Sequence, residues 1–195
     1  MNLPNKITTF RMICVVFIAI LLLIPTDGIL VVPFFELPIT SIIAWVLFIV
    51  ASISDFVDGY IARKYNLVTD YGKFMDPIAD KLLVNSLFII LTCWGLVPLG
   101  VLLIVICRDI IVDAIRMVMC EKNVVVAANI FGKLKTVVQM IAIPFVLVYP
   151  LIFKDIADIF PLDTFLCYIA ALASLLSGVI YFMQAKDVVL EGATK

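Results

Sequence analysis

Five aspartates, Asp55, Asp58, Asp70, Asp76 and Asp80, fall within the stretch SDFVDGYIARKYNLVTDYGKFMDPIADK, which lies between two long apolar runs. Asp55 and Asp58 are three residues apart, and Asp76 and Asp80 are four apart. On helices, either spacing puts the pair on one face. Asn66, Asp70 and Gly72 are turn formers, which predicts a helical hairpin whose four remaining carboxylates face one another. Asp70 falls off the spacing and reads as a turn former or helix cap. Pro77 is placed in the early turns of the second helix, where a proline is tolerated. Facing carboxylates repel, and one Asp at mid-bilayer costs about 2.5–3.5 kcal/mol on insertion scales. Cations must offset that charge. Lys or Arg could do so, but an all-oxygen site suits hard divalent ions, and Mg²⁺ characteristically joins carboxylates to substrate phosphates. Two such ions, about 3.5–4 Å apart, clamp the attacking and leaving oxygens of a phosphoryl displacement.

The elements that must position these groups follow from composition. The chain has 195 residues, 65% of them hydrophobic and 15% charged, with a mean hydropathy of +1.22. A soluble domain of this length cannot hide that much apolar surface. Six apolar stretches, near residues 12–25, 38–54, 82–97, 98–115, 136–153 and 161–183, approach the roughly 20 residues of a spanning helix. In lipid such segments must be helical to satisfy their own backbone. The expectation is an all-α membrane protein: one domain over residues 1–195, a six-helix transmembrane bundle with short loops. Residues 12–25 run into Pro25, Thr26 and Asp27 rather than a small-residue cleavage site, so they are kept as the first helix and not read as a signal core. Before them, Asn5, Thr8 and Arg11 recur every three residues. That stripe reads equally as an N-terminal interfacial segment or as a ligand-facing one. Cys14, Cys93, Cys107, Cys120 and Cys167 are scattered and read as packing.

Threading six helices puts Lys6, Arg11, Arg63, Lys64, Lys73, Lys81, Arg108, Arg116, Lys122, Lys133, Lys135, Lys186 and Lys195 on one side, and only Lys154 on the other. Basic residues accumulate on the cytoplasmic side, so both termini and the carboxylates are expected there. The outer loops carry Asp27, Glu36, Asp155, Asp158 and Asp163. Arg108 and Arg116 are eight apart and share a helix face, and Lys133 and Lys135 lie in GKLK beside a helix start. These four suit a phosphate-bearing acceptor. The same charges also serve as orientation signals, which is the preferred reading for Lys122 and Lys186. Trp45, Trp94, Tyr149 and Tyr181 fit packing or interfacial belts. No nucleic-acid partner is expected.

The stretch DFVDGYIARKYNLVTDYGKFMDPIAD resembles the signature of the CDP-alcohol phosphotransferases, D-x-x-D-G-x-x-A-R, eight residues, then G-x-x-x-D-x-x-x-D. Every fixed position is met, by Asp55, Asp58, Gly59, Ala62, Arg63, Gly72, Asp76 and Asp80. The resemblance implies displacement of CMP from a CDP-linked donor by an alcohol. It implies two ions, Mg²⁺ or Mn²⁺, held by Asp55, Asp58, Asp76 and Asp80. Asp80 is also implied as general base, which accords with a chain that has no histidine. Asn5, Gly59, Ala62, Arg63 and Gly72 are assigned to the CDP-diacylglycerol side, with the glycines admitting the nucleotide and Arg63 meeting its diphosphate. LPNKITTFR, CRDIIVDAIRMV and GKLKTVVQM resemble the branch whose acceptor is sn-glycerol 3-phosphate, with Asp109 where Glu is common. Thr8, Arg11, Arg108, Arg116, Lys133 and Lys135 are assigned to that acceptor. A homodimer in the cell membrane is implied as well. Two rivals are weighed: a sister transferase using inositol phosphate, serine or phosphatidylglycerol, and a divalent-metal transporter. The basic residues disfavour serine and lipid acceptors. A conduit would need polar groups at more than one depth.

Overall fold

The computed structural model describes residues 2–24, 31–32, 37–65, 67, 69–122, 130–153 and 159–193. Asn66, Lys154, Lys195 and the outer-loop carboxylates Asp27, Glu36, Asp155 and Asp158 lie outside them. Six helices make up the described fold: α1 (Leu3–Leu23), α2 (Ile39–Lys64), α3 (Asp70–Cys93), α4 (Leu99–Glu121), α5 (Ile130–Ile152) and α6 (Leu162–Ala193). Between α1 and α2 a two-residue antiparallel pair, β1 (Val31–Val32) and β2 (Leu37–Pro38), stands where only a loop was expected.

Four helices, α1, α2, α5 and α6, are long and apolar enough to cross a membrane. In α3 the run is broken by Asp70, Lys73, Asp76, Asp80 and Lys81, and in α4 by Arg108, Asp109, Asp113, Arg116 and Glu121. These two helices, with five charged residues each, carry more charge than any of the other four. Outward faces are apolar, with Phe10, Ile13, Phe17 and Ile20 of α1 exposed, as a lipid-facing surface requires.

Inward faces follow the helical repeat. On α1 the buried stripe runs Asn5, Thr8, Arg11, Val15, Ile18, Leu22. It is one unbroken helix, so the segment expected to lie at the interface is the first part of α1 itself. Its polar residues face protein because they have partners there. Ala44 and Ala51 of α2 and Ala142 and Ala170 of α5 and α6 are fully buried, where small side chains let helix backbones approach. Between α3 and α4 the chain turns at Gly95, whose φ of 77° is a left-handed value that glycine takes without cost. Cys14 and Cys167 are buried, Cys93, Cys107 and Cys120 exposed, and all five are free thiols.

The helices fall into two groups. α1 packs against both α2 and α3, whereas α2 and α3 barely touch each other. α6 packs against both α4 and α5. The expected α2–α3 hairpin is an open one: its carboxylates do meet, Asp55 of α2 beside Asp80 of α3, while α1 packs against both helices. The Trp45 indole N–H donates to the Pro144 carbonyl at 3.2 Å, tying α2 to α5.

Candidate active site

The side chain that brings the carboxylates together is Arg11. It is completely buried, and a buried guanidinium is tolerated only when charges and hydrogen bonds compensate it. Its Nη1 lies 2.5 Å from Asp80 Oδ1 and 2.7 Å from Asp55 Oδ1, and its Nη2 lies 2.6 Å from Asp58 Oδ2. The planar fork of donors suits three converging oxygens in a way a lysine could not. One turn earlier, Thr8 Oγ1 donates to Asp76 Oδ1 at 2.7 Å. One turn before that, the Asn5 side-chain oxygen accepts from Thr69 Oγ1 at 2.9 Å. Thr69 in turn caps α3 by accepting from the Gly72 N–H at 3.1 Å. Three consecutive turns of α1 thus hold the four carboxylates and the start of α3.

Asp70 is the first residue of α3 and the cap is Thr69, so of the two readings of Asp70, turn former or helix cap, the cap does not hold. A threonine hydroxyl here accepts from Gly72 while donating to Asn5. Pro77 is the eighth residue of α3, deeper than expected, between the turns that carry Asp76 and Asp80. The glycines have local reasons. A Cβ on Gly72 would sit 3.3 Å from Asn5 Oδ1 and 3.4 Å from Thr69 Oγ1, crowding their bond. A Cβ on Gly59 would lie 3.4 Å from both terminal nitrogens of Arg63, whose side chain folds back across it. Arg63 is exposed at the end of α2 and Ala62 is half-buried beside it.

These oxygens suit a hard divalent cation in kind. Arg11 sets one positive charge against four negative ones, so room for further cationic charge remains. Among the described residues no three carboxylates form a cage by themselves, since the guanidinium stands where they converge.

A second cluster joins α4, α5 and α6. Arg108 Nη1 lies 3.0 Å from Asp109 Oδ1, and its Nη2 donates to Ser177 Oγ at 2.6 Å. Lys135 Nζ also pairs with Asp109 Oδ1. Asp109 and Lys135 are both buried. Arg108 crosses α6 over Gly178, where a Cβ would meet Arg108 Cγ at 2.8 Å, so only glycine leaves the passage open. Arg116 lies instead over the Tyr181 ring, 5.4 Å from its centroid, a cation–π distance. Lys133 is exposed. Between the clusters, Lys81 of α3 pairs with Asp113 of α4.

Of the six residues assigned to the acceptor, the structure brings Arg108 and Lys135 together, sets Arg116 and Lys133 apart from them, and places Thr8 and Arg11 among the carboxylates. Thr69, Asp113, Ser177 and Gly178 had been given no role, and Asp109 had been noted only as a departure from the usual Glu. A signal for two of them was present: Asp109 lies on the otherwise apolar helical stripe Val101–Val105–Asp109–Val112, and Ser177 lies with Ser174 on the stripe Ala170–Ser174–Ser177–Tyr181 of an apolar helix.

Residues 1–190 match the family described as CDP-alcohol phosphatidyltransferase. The chain is 42% identical over 184 residues to the CDP-diacylglycerol–glycerol-3-phosphate 3-phosphatidyltransferase of Bacillus subtilis (strain 168), covering 94% of each. It is 36% identical to the protein of the same name from Rickettsia bellii (strain RML369-C), over 95% of this chain and 96% of that one. With the Wigglesworthia glossinidia brevipalpis protein of that name the identity is 32%, over 95% of both. The extent of these matches, and a complete carboxylate signature gathered at one site, show that the chain belongs to the CDP-alcohol phosphatidyltransferase family.

Proposed function

We propose that this chain transfers the phosphatidyl group of CDP-diacylglycerol to sn-glycerol 3-phosphate, forming phosphatidylglycerophosphate and CMP in phospholipid synthesis. Relatives of that activity match along nearly the whole chain. The observation that carries the reading is the convergence of Asp55, Asp58 and Asp80 on Arg11, with Asp76 held by Thr8.

The acceptor's primary hydroxyl oxygen attacks the phosphorus that bears diacylglycerol. A new P–O bond forms as the bond to the CMP oxygen breaks, and CMP leaves with that electron pair. Asp80 takes the hydroxyl proton, as a positioned carboxylate can. Asp55, Asp58, Asp76 and Asp80 would hold Mg²⁺ or Mn²⁺, two ions in our reading, which when bound offset charge on the diphosphate. Arg63, at the exposed end of α2, meets the diphosphate, and Gly59 leaves its guanidinium space to do so. Asn5, Gly72 and Ala62 shape the donor side. Arg108 and Lys135 receive the acceptor phosphate, with Arg116 and Lys133 as further cations along its approach. Asp109 holds the first two apart from each other's charge and in register.

In this reading all six helices span the cell membrane, both termini and the site face the cytoplasm, and the enzyme works as a homodimer. At about 1.5 Å per residue, the 32 residues of α6 exceed a hydrocarbon core of about 30 Å, so one end stands clear of the lipid. Purified enzyme given CDP-diacylglycerol, Mg²⁺ and a panel of acceptors should release CMP with glycerol 3-phosphate and not with serine, inositol phosphate or phosphatidylglycerol. EDTA should abolish the release, and Mg²⁺ or Mn²⁺ should restore it. Turnover with another acceptor alone would overturn the acceptor assignment. Full activity in EDTA would overturn the metal assignment.

A further inference from the structure

On the helices that build the Arg108–Asp109–Lys135 cluster lie buried polar atoms that have no partner among the described residues. Gln139 is one helical turn beyond Lys135 on α5. It is 1% exposed, and its Nε2 has no hydrogen-bond partner. Ser174 is three residues before Ser177 on α6, wholly buried, and its Oγ also lacks a partner. Arg108 Nε is unpartnered as well. Helices α5 and α6 pack against each other, so these atoms belong to neighbouring faces of one packed region. Leaving a buried donor unsatisfied is costly, and buried polar groups without partners are rare enough that each needs an explanation. Both residues continue the buried stripes that supply Lys135 and Ser177, and beyond them the stripes turn apolar, at Ala142 and Ile143 on α5 and at Ala170 and Ala171 on α6.

We infer that Gln139 and Ser174 are acceptor-specificity residues that hydrogen-bond the bystander hydroxyl of a small polyol phosphate. The inference rests on the function proposed above. With the acceptor phosphate at Arg108 and Lys135, a three-carbon chain must extend from there toward Asp80. Its middle carbon carries a hydroxyl that neither attacks nor is charged. Such a group needs a neutral donor and acceptor, which an amide and a serine hydroxyl supply. A site built to satisfy a substrate hydroxyl penalises an analogue that lacks it, because its own buried groups are then left unpaired.

The test compares sn-glycerol 3-phosphate with 3-hydroxypropyl phosphate, which keeps the phosphate and the reacting hydroxyl but lacks the middle one. CMP release by the purified full chain is measured with each, for the wild type, Gln139→Met and Ser174→Ala. Wild-type enzyme should prefer glycerol 3-phosphate by tenfold or more in kcat/KM. Gln139→Met should raise the KM for glycerol 3-phosphate about tenfold and leave that for 3-hydroxypropyl phosphate unchanged, so the preference collapses. Ser174→Ala should act in the same direction and more weakly. The melting temperature of Gln139→Met should not fall, because an apolar chain of similar shape replaces an unpartnered amide. Intact preference in both variants overturns the inference, and a lowered melting temperature alongside it would mark Gln139 as a core residue or the holder of a resident water. If the wild type releases CMP with neither acceptor, it is the proposed function that fails, and this reading goes with it.

Discussion

The two clusters are electrostatic opposites built by the same device. In the first, a guanidinium from α1 sits among carboxylates from α2 and α3. In the second, a carboxylate from α4 sits between an arginine on its own helix and a lysine from α5. Each centre holds apart like charges that would otherwise repel, and each leaves an excess of one sign: negative around Arg11, positive around Asp109. The first excess suits cations, and the second suits a phosphate. In the function proposed above, substrates and ions are recognised by the charge each cluster leaves over, while the central residue offsets the like charges around it. A buried ion pair of this kind is weak evidence for stability in itself, but removing one partner is strongly destabilising.

The contrast can be broken at several points. The largest effect is expected at the reacting end. Asp80→Asn keeps the shape of the side chain and should lower kcat by about 10²–10⁴-fold if only base function is lost, with the helical circular dichroism signal unchanged. Activity near wild type would remove Asp80 from the chemistry. Next comes the centre of the negative cluster. Arg11→Met should cost about 3–5 kcal/mol of stability, the usual penalty for stranding buried charge, seen as a lower melting temperature in detergent. Mg²⁺ or Mn²⁺ should recover part of that loss by binding the stranded carboxylates, as linkage requires. Unchanged stability, or stability indifferent to divalent ions, would argue that the cluster is not cation-binding.

A smaller effect belongs to the positive cluster. Lys135→Met should raise the glycerol 3-phosphate KM by roughly ten- to a hundredfold, the value of one charge-assisted hydrogen bond. The CDP-diacylglycerol KM should stay within about twofold. The smallest effect is expected from Lys186→Ala, an exposed charge of the same sign placed outside the cluster, for which both constants should be unaltered. Equal effects from Lys135→Met and Lys186→Ala would reduce the basic residues to orientation signals.

Much of this was legible in the chain. The spacing of Asp55, Asp58, Asp76 and Asp80 is a local property, because a helix brings residues three and four apart onto one face whatever surrounds it. The all-helical fold followed from the long apolar runs, since a helix satisfies its own backbone polar groups within one segment, and four of the six helices are apolar enough to cross a membrane. The stripe of Asn5, Thr8 and Arg11 was visible too, as a periodicity, though its partners were not. Local rules were less secure at helix starts: the cap of α3 is Thr69 and not Asp70, because Asn5 and Gly72 supply the bonds that a threonine hydroxyl can both donate and accept.

What the sequence alone determined is therefore a set of charged helix faces, with their residue types and spacings. Which face meets which was decided only by the tertiary structure. The α2–α3 pairing sets carboxylate against carboxylate, and the cation found among them, Arg11, comes from outside residues 55–80. Packing set α1 against both helices, bringing Arg11 from 47 residues before Asp58 and 69 before Asp80. The same kind of long-range choice set Lys135 on Asp109 and threaded Arg108 past Gly178. Coulomb attraction acts through space, so the partner that neutralises a buried charge is named by the fold and not by the neighbouring sequence.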